Sequence, residues 1–230
     1  TITRKIKELN LDTSQIPNGT KIYNVNHDFF GQIDTEEKAY LFGLWMADGG
    51  IYKNRINLSM ADLDIMEKAK NCLQYTGPLR HTPSKFNNKI FHQLEIYSKK
   101  LFNDLNNKGC VPNKSLMLKF PYEYIPENLI RHFLRGMFDG DGSIYRNKAG
   151  YFHISLTGTR EICEGFSKYS NLEGHYCHPN KKCEKKNTWS WRLWKIKEVY
   201  YFLDLLYSNS NIYLNRKKEL ANKILKGEHL

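Results

Sequence analysis

Apolar residues crowd into AYLFGLWMA (39–47) and again into LIRHFLRGMF (129–138), and each run falls into Asp and Gly. The runs are too long for strands and predict two helices, the first starting near Asp34. Beyond each run the pattern changes to period two. Ile56, Leu58 and Met60 alternate with Asn57 and Ser59; Phe152, Ile154 and Leu156 alternate with Tyr151, His153 and Ser155. Such alternation predicts strands with one buried and one wet face. Helical stretches DLDIMEKAKNCLQY (62–75) and TREICEGFSKYSNL (159–172) come next. A second hairpin (77–97; 174–196) and a closing helix (99–109; 198–209) complete each half. The order read from the pattern is α-β-β-α-β-β-α, twice. This divides the chain into an N-terminal arm (1–34), a first half-domain (35–120), a Pro-containing linker (121–128) and a second half-domain (129–230).

The halves are copies. Gly43, Asp48 and Gly49 recur as Gly136, Asp141 and Gly142, each pair 93 positions apart. Gly43 and Ala47 share one helix face, as do Gly136 and Gly140. A mid-helix glycine costs about 1 kcal/mol. Close approach of two helix backbones offsets that cost, so the two helices are expected to pack together about a pseudo-twofold axis. Gly49 and Gly142 are expected to end their helices in the left-handed conformation. An acid at a helix C-terminus meets carbonyls that are already negative. Bringing Asp48 and Asp141 together therefore calls for a cation, and carboxylates with free carbonyls are the donors Mg²⁺ prefers.

Charge adds a partner. The 230 residues carry a net charge of +11 and a pI near 9.3, which points to a polyanion such as nucleic acid. Basic residues interleaved with Asn, Gln, Ser, Tyr and His favour a groove that reads bases over a membrane surface. No apolar run is long enough to cross a bilayer, and no signal peptide is apparent. Cys72, Cys110, Cys163, Cys177 and Cys183 are odd in number with no tight pairing, as expected of a reducing intracellular compartment. The arm, with its basic TITRKIKELNLDT, is a candidate DNA contact.

The paired segments LFGLWMADG (41–49) and LRGMFDGDG (134–142), with PNKSL (112–116) and LNRKKEL (214–220), resemble the LAGLIDADG homing endonucleases of the monomeric, double-motif branch. The resemblance spans about residues 29–225. It implies an α+β fold of two pseudo-twofold-related αββαββα half-domains, each with a curved four-stranded antiparallel sheet. The halves would pack through the two motif helices at Gly43, Ala47, Gly136 and Gly140. It also implies a monomeric, site-specific double-strand DNA endonuclease. Such an enzyme cuts a long asymmetric target across the minor groove and leaves short 3′ overhangs. Asp48 and Asp141 would bind a divalent metal together with the carbonyls of Ala47 and Gly140. Mg²⁺ is the expected ion, with Mn²⁺ or Ca²⁺ able to substitute. Lys114 and Lys217 match the family's basic residues near each site, with transition-state stabilisation as the implied role. The motif's sixth position is Met46 in one copy and Asp139 in the other, which gives Asp139 a supporting part.

Base reading needs side chains that bond base edges. Strand positions offer Arg55, Asn57, Ser59, Gln93, Tyr151, His153, Ser155, Ser190 and Arg192. Hairpin tips offer Lys53, Asn54, Arg80, Lys85, Asn87, Lys89, Arg146, Asn147, Lys148, Lys181, Lys182 and Lys185, whose lysines suit phosphates. HYCHPNKKC (175–183) fits no usual zinc module. Rival functions are an RNA maturase bound to intron RNA and a non-cutting DNA-binding regulator; the latter would have no use for both acids.

Overall fold

The computed structural model describes residues 23–84, 89–112, 114–179 and 186–227. Residues 1–22 of the arm, with Lys85, Asn87, Lys181, Lys182 and Lys185, lie outside the described residues.

Helix α1 (Glu36–Ala47) is capped by Thr35, whose hydroxyl accepts from the Lys38 amide, and it carries Glu36 and Glu37 in its first turn. Every residue from Ala39 to Met46 is buried. Strands β1 (Gly50–Tyr52) and β2 (Arg55–Met60) come next, then α2 (Leu63–Cys72), β3 (Arg80–Pro83), β4 (Ile90–Tyr97) and α3 (Lys99–Asn107). The second half repeats the series as α4 (Ile130–Asp141), β5 (Gly142–Arg146), β6 (Phe152–Gly158), α5 (Arg160–Ser170), β7 (His175–Cys177), β8 (Trp189–Leu193) and α6 (Ile196–Tyr207). Each half holds one antiparallel sheet, ordered β1-β2-β4-β3 and β5-β6-β8-β7. The expected alternation is present: Ile56, Leu58 and Met60, and then Ile154 and Leu156, point into the core.

The two motif helices pack against each other at their glycines. A methyl group on Gly43 would stand 2.3 Å from the Phe133 carbonyl oxygen, and one on Gly136 would stand 1.9 Å from that of Tyr40. The next neighbours are the amides of Met137 and Leu44. These contacts exchange under the 93-residue repeat, so the pseudo-twofold axis passes between the glycines. Closer to the C-termini, a side chain on Gly140 would meet the Ala47 Cβ at 2.4 Å.

Two expectations need correction. Neither Gly49 nor Gly142 takes positive φ, and Gly142 is extended at φ −85°. They are glycine for want of space: an added Cβ would stand 2.4 Å from the Trp45 ring in one copy and 2.1 Å from the Phe138 ring in the other. The halves also differ at their ends. The second half adds helix α7 (Asn215–Leu225), where the first has one 3₁₀ turn, Lys114–Leu116. After that turn the chain crosses to its partner half. The Leu118 carbonyl accepts from Thr159 Oγ1 at 2.6 Å, and Phe120 stacks on Tyr169.

Candidate nuclease centre and nucleic-acid face

Asp48 is the C-cap of α1, and Asp141 is the last residue of α4. Because the helices touch at Ala47 and Gly140, their acids meet across the axis: a Cβ on Gly140 would lie 3.1 Å from Asp48 Oδ2. Both side chains are exposed to solvent, yet desolvation by the protein around them raises both carboxyls. For Asp48, burial acts against the positive charges of Lys217, Lys114 and Arg216. For Asp141, burial and then the charge of Asp48 push the carboxyl up to about 7 against Lys114 and Lys217.

Lys114 and Lys217 are buried beside these acids. Lys114 Nζ donates to the Gly49 carbonyl. Lys217 Nζ donates to the carbonyls of Phe138, of Asp139 at 2.9 Å and of Gly142 at 2.6 Å. Lys217 therefore covers last-turn carbonyls of its own motif helix, and Lys114 holds the carbonyl just past the end of the other, at helix ends that carry partial negative charge. The field of each ammonium crosses the axis as well. Lys217 is the leading cation on Asp48, and Lys114 is the leading cation on Asp141. Burial pulls Lys217 down to about 8, with Asp139 acting in the other direction.

Each acid opens into its own recess. That of Asp48 is a cleft of about 800 Å³ bordered by Ser59, Asp62, Lys89, His92 and Arg216. That of Asp141 is about 180 Å³ and includes Ala47, Lys114, Met137 and Thr157. Arg216, which pairs with Asp62 at 2.9 Å, was missed from the sequence, although it directly precedes Lys217. Asp139 points elsewhere. It is fully buried and accepts from Tyr40 Oη at 2.7 Å, Tyr207 Oη at 2.6 Å and the Leu214 amide at 2.8 Å. Its counterpart Met46 fills core space.

Away from the core, Arg55, Asn57 and Ser59 of β2 share one face with Gln93 of β4 and Arg80 of β3, through the pairs Ser59↔Gln93 and Arg80↔Gln93. In the second sheet His153 and Ser155 of β6 lie beside Arg192 of β8, with Ser155↔Arg192 in register. Tyr151, exposed, precedes them. Lys53 and Asn54 form the β1–β2 turn with φ of 43° and 64°. Arg146 ends β5, and Asn147 and Lys148 follow in the β5–β6 connection, where Asn147 Nδ2 lies 2.9 Å from His153 Nε2. Lys89 is exposed just before β4. Ser190 is a correction: it is 1% exposed, and its hydroxyl is spent on Ser155 at 2.9 Å, so it cannot reach a base. Glu95, Tyr97, Tyr145 and Thr157 lie on these faces too and were missed, although period-two counting from Gln93 or His153 includes all but Tyr145.

The family model described as a LAGLIDADG-like domain matches residues 35–108. The chain as a whole has the LAGLIDADG homing-endonuclease fold: it superposes on I-WcaI, solved bound to its DNA recognition sequence, with a TM-score of 0.60 at 16% identity, covering 90% of this chain and 96% of that one. Full-length DUF199/WhiA from Thermatoga maritima shares the fold at a TM-score of 0.52 and 18% identity, covering 97% of this chain and 65% of that one. The LAGLIDADG fold thus occurs in a protein not named for nuclease activity, and the reaction has to be argued from the site. Among curated proteins, the uncharacterized protein MJ0314 of Methanocaldococcus jannaschii is 27% identical over 201 residues, 79% of this chain and 72% of that protein.

Proposed function

We propose that the chain is a monomeric, divalent-metal-dependent endonuclease that cuts both strands of a long, asymmetric DNA duplex. The observation that carries this reading is the meeting of Asp48 and Asp141 at the ends of two packed helices, with Lys114 and Lys217 beside them. The donor set suits a hard cation. Two carboxylates raised by burial, one of them also by the charge of the other, lie next to last-turn carbonyls that no helical amide reaches. Asp48, Asp141 and the carbonyls of Ala47 and Gly140 would hold Mg²⁺. Such an ion lowers the pKa of a bound water and stabilises the leaving oxygen of a phosphodiester.

The chain's own contribution is placement and charge. The glycine contacts set the two acids a fixed distance apart, one for each strand. Lys114 and Lys217, anchored on backbone carbonyls, present fixed positive charge toward a phosphate that gains negative charge as it reacts. The two polar strand faces supply base contacts, and the net charge of +11 favours the phosphate backbone.

The deciding experiment incubates the protein and Mg²⁺ with a randomised duplex library and sequences the cut ends. The expected result is one family of long sites cut on both strands with short 3′ overhangs. Tight duplex binding with no cutting of any site would favour the non-cutting regulator. Binding of intron RNA in preference to duplex DNA would favour the maturase.

A further inference from the structure

Strands β1 to β8 contain a single acidic residue, Glu95. It lies on the polar face of the first sheet, opposite Asn57 and two residues from Gln93. On a surface that meets a polyanion, a carboxylate weakens binding through like-charge repulsion. Stability does not explain its presence, because partly exposed ion pairs add little. Its partners are informative. Glu95 Oε2 accepts from Arg55 at 2.9 Å, and Oε1 lies 3.6 Å from Arg80. These arginines come from β2 and β3, on either side of β4. Arg55 is steadied further by Tyr97 Oη at 3.5 Å and by the Tyr52 ring.

A guanidinium has five N–H donors in a planar fork. Left alone on a basic face, it serves any phosphate. With one edge held by a carboxylate, it keeps another edge for a planar pair of acceptors, and guanine O6 and N7 form such a pair. The carboxylate also repels phosphate oxygens and can accept from cytosine N4. The strands of the second sheet contain no acid at all.

We propose that Glu95 is a specificity-determining positioning residue, which holds Arg55 and Arg80 for adjacent G·C pairs in the half-site read by the first half-domain. This deepens the proposed DNA reading and rests on it. The test selects bound sequences from a randomised duplex library with the unaltered protein and with Glu95→Gln, and measures affinity for an unrelated duplex. With Glu95→Gln, affinity for the unrelated duplex rises several-fold. Base preference falls at two or three neighbouring positions of one half-site and is unchanged in the other. An unaltered profile, or a loss spread over both half-sites, would overturn the proposal, the latter because it marks a structural role. If the unaltered protein enriches no sequence, the DNA reading itself fails and this proposal fails with it.

Discussion

The carbonyl oxygen of Tyr40 lies 1.9 Å from where a Cβ on Gly136 would have to stand. That contact brings the second motif helix onto the first, and the two C-terminal acids meet as a result. Gly136→Ala must move a helix backbone, because the obstructing atom belongs to the main chain. We expect a loss of at least about 3 kcal/mol of stability, at the upper end of overpacking costs, and the same sign for Gly43→Ala. Denaturant midpoints check this; an unchanged midpoint for Gly136→Ala would refute the packing argument.

Asp48→Asn and Asp141→Asn should each abolish cutting of at least one strand while leaving sequence-specific binding intact. The amide keeps the size of the side chain and removes the charge a cation needs. Strand-resolved cleavage and duplex affinity, measured side by side with Mg²⁺, separate the two effects. Full cutting by either variant would contradict the metal role.

Lys217→Met should do two things, because the ammonium both caps a helix and supplies charge. It removes the ammonium from the carbonyls of Phe138, Asp139 and Gly142, of which Phe138 keeps the Gly142 amide, at a cost of about 2 kcal/mol. The chemical step should slow by about 100-fold, the scale of losing one transition-state charge partner, with little change in duplex affinity. A pure affinity loss would demote Lys217 to a phosphate holder.

His132 makes stability pH-dependent. Burial, with Arg135 beside it, pulls its imidazole down to about 4. The Arg131 and Arg135 guanidiniums lie 3.3 and 3.0 Å from its ring nitrogens, which disfavours the imidazolium. Between about 4 and the ordinary value of 6.5 the unfolded chain binds the extra proton, so stability falls as pH falls through that window. From pH 7 to pH 5 the loss from this group is roughly 2 kcal/mol. His132→Gln should flatten that slope in denaturation midpoints. An equal slope in the variant would show that other groups carry it.

Much of this molecule was legible in one dimension. The 93-residue repeat exposed the duplicated half-domain, and period-two alternation exposed the buried faces of β2 and β6. Asp48 and Asp141 stood out because two copies of one acid in one context are hard to explain as turns. Lys114 and Lys217 were legible only by resemblance; their hold on the Gly49 and Gly142 carbonyls was not. Ser190 was misjudged because alternation tells which side of a strand a residue occupies and says nothing of what covers that side.

The sequence by itself determined the repeated αββαββα elements, though not helix α7, together with the repeat and the pair of acids, since each depends on residues near one another or on a fixed period. Tertiary structure decided the rest. The pairing of Glu95 with Arg55 and Arg80 depends on strand register. The reach of Lys217 to Gly142 spans 75 residues. The strictness of Gly49 and Gly142 comes from ring atoms one helical turn away. Partners of this kind are chosen by packing in three dimensions, where contact energy depends on distance in space and not on separation along the chain.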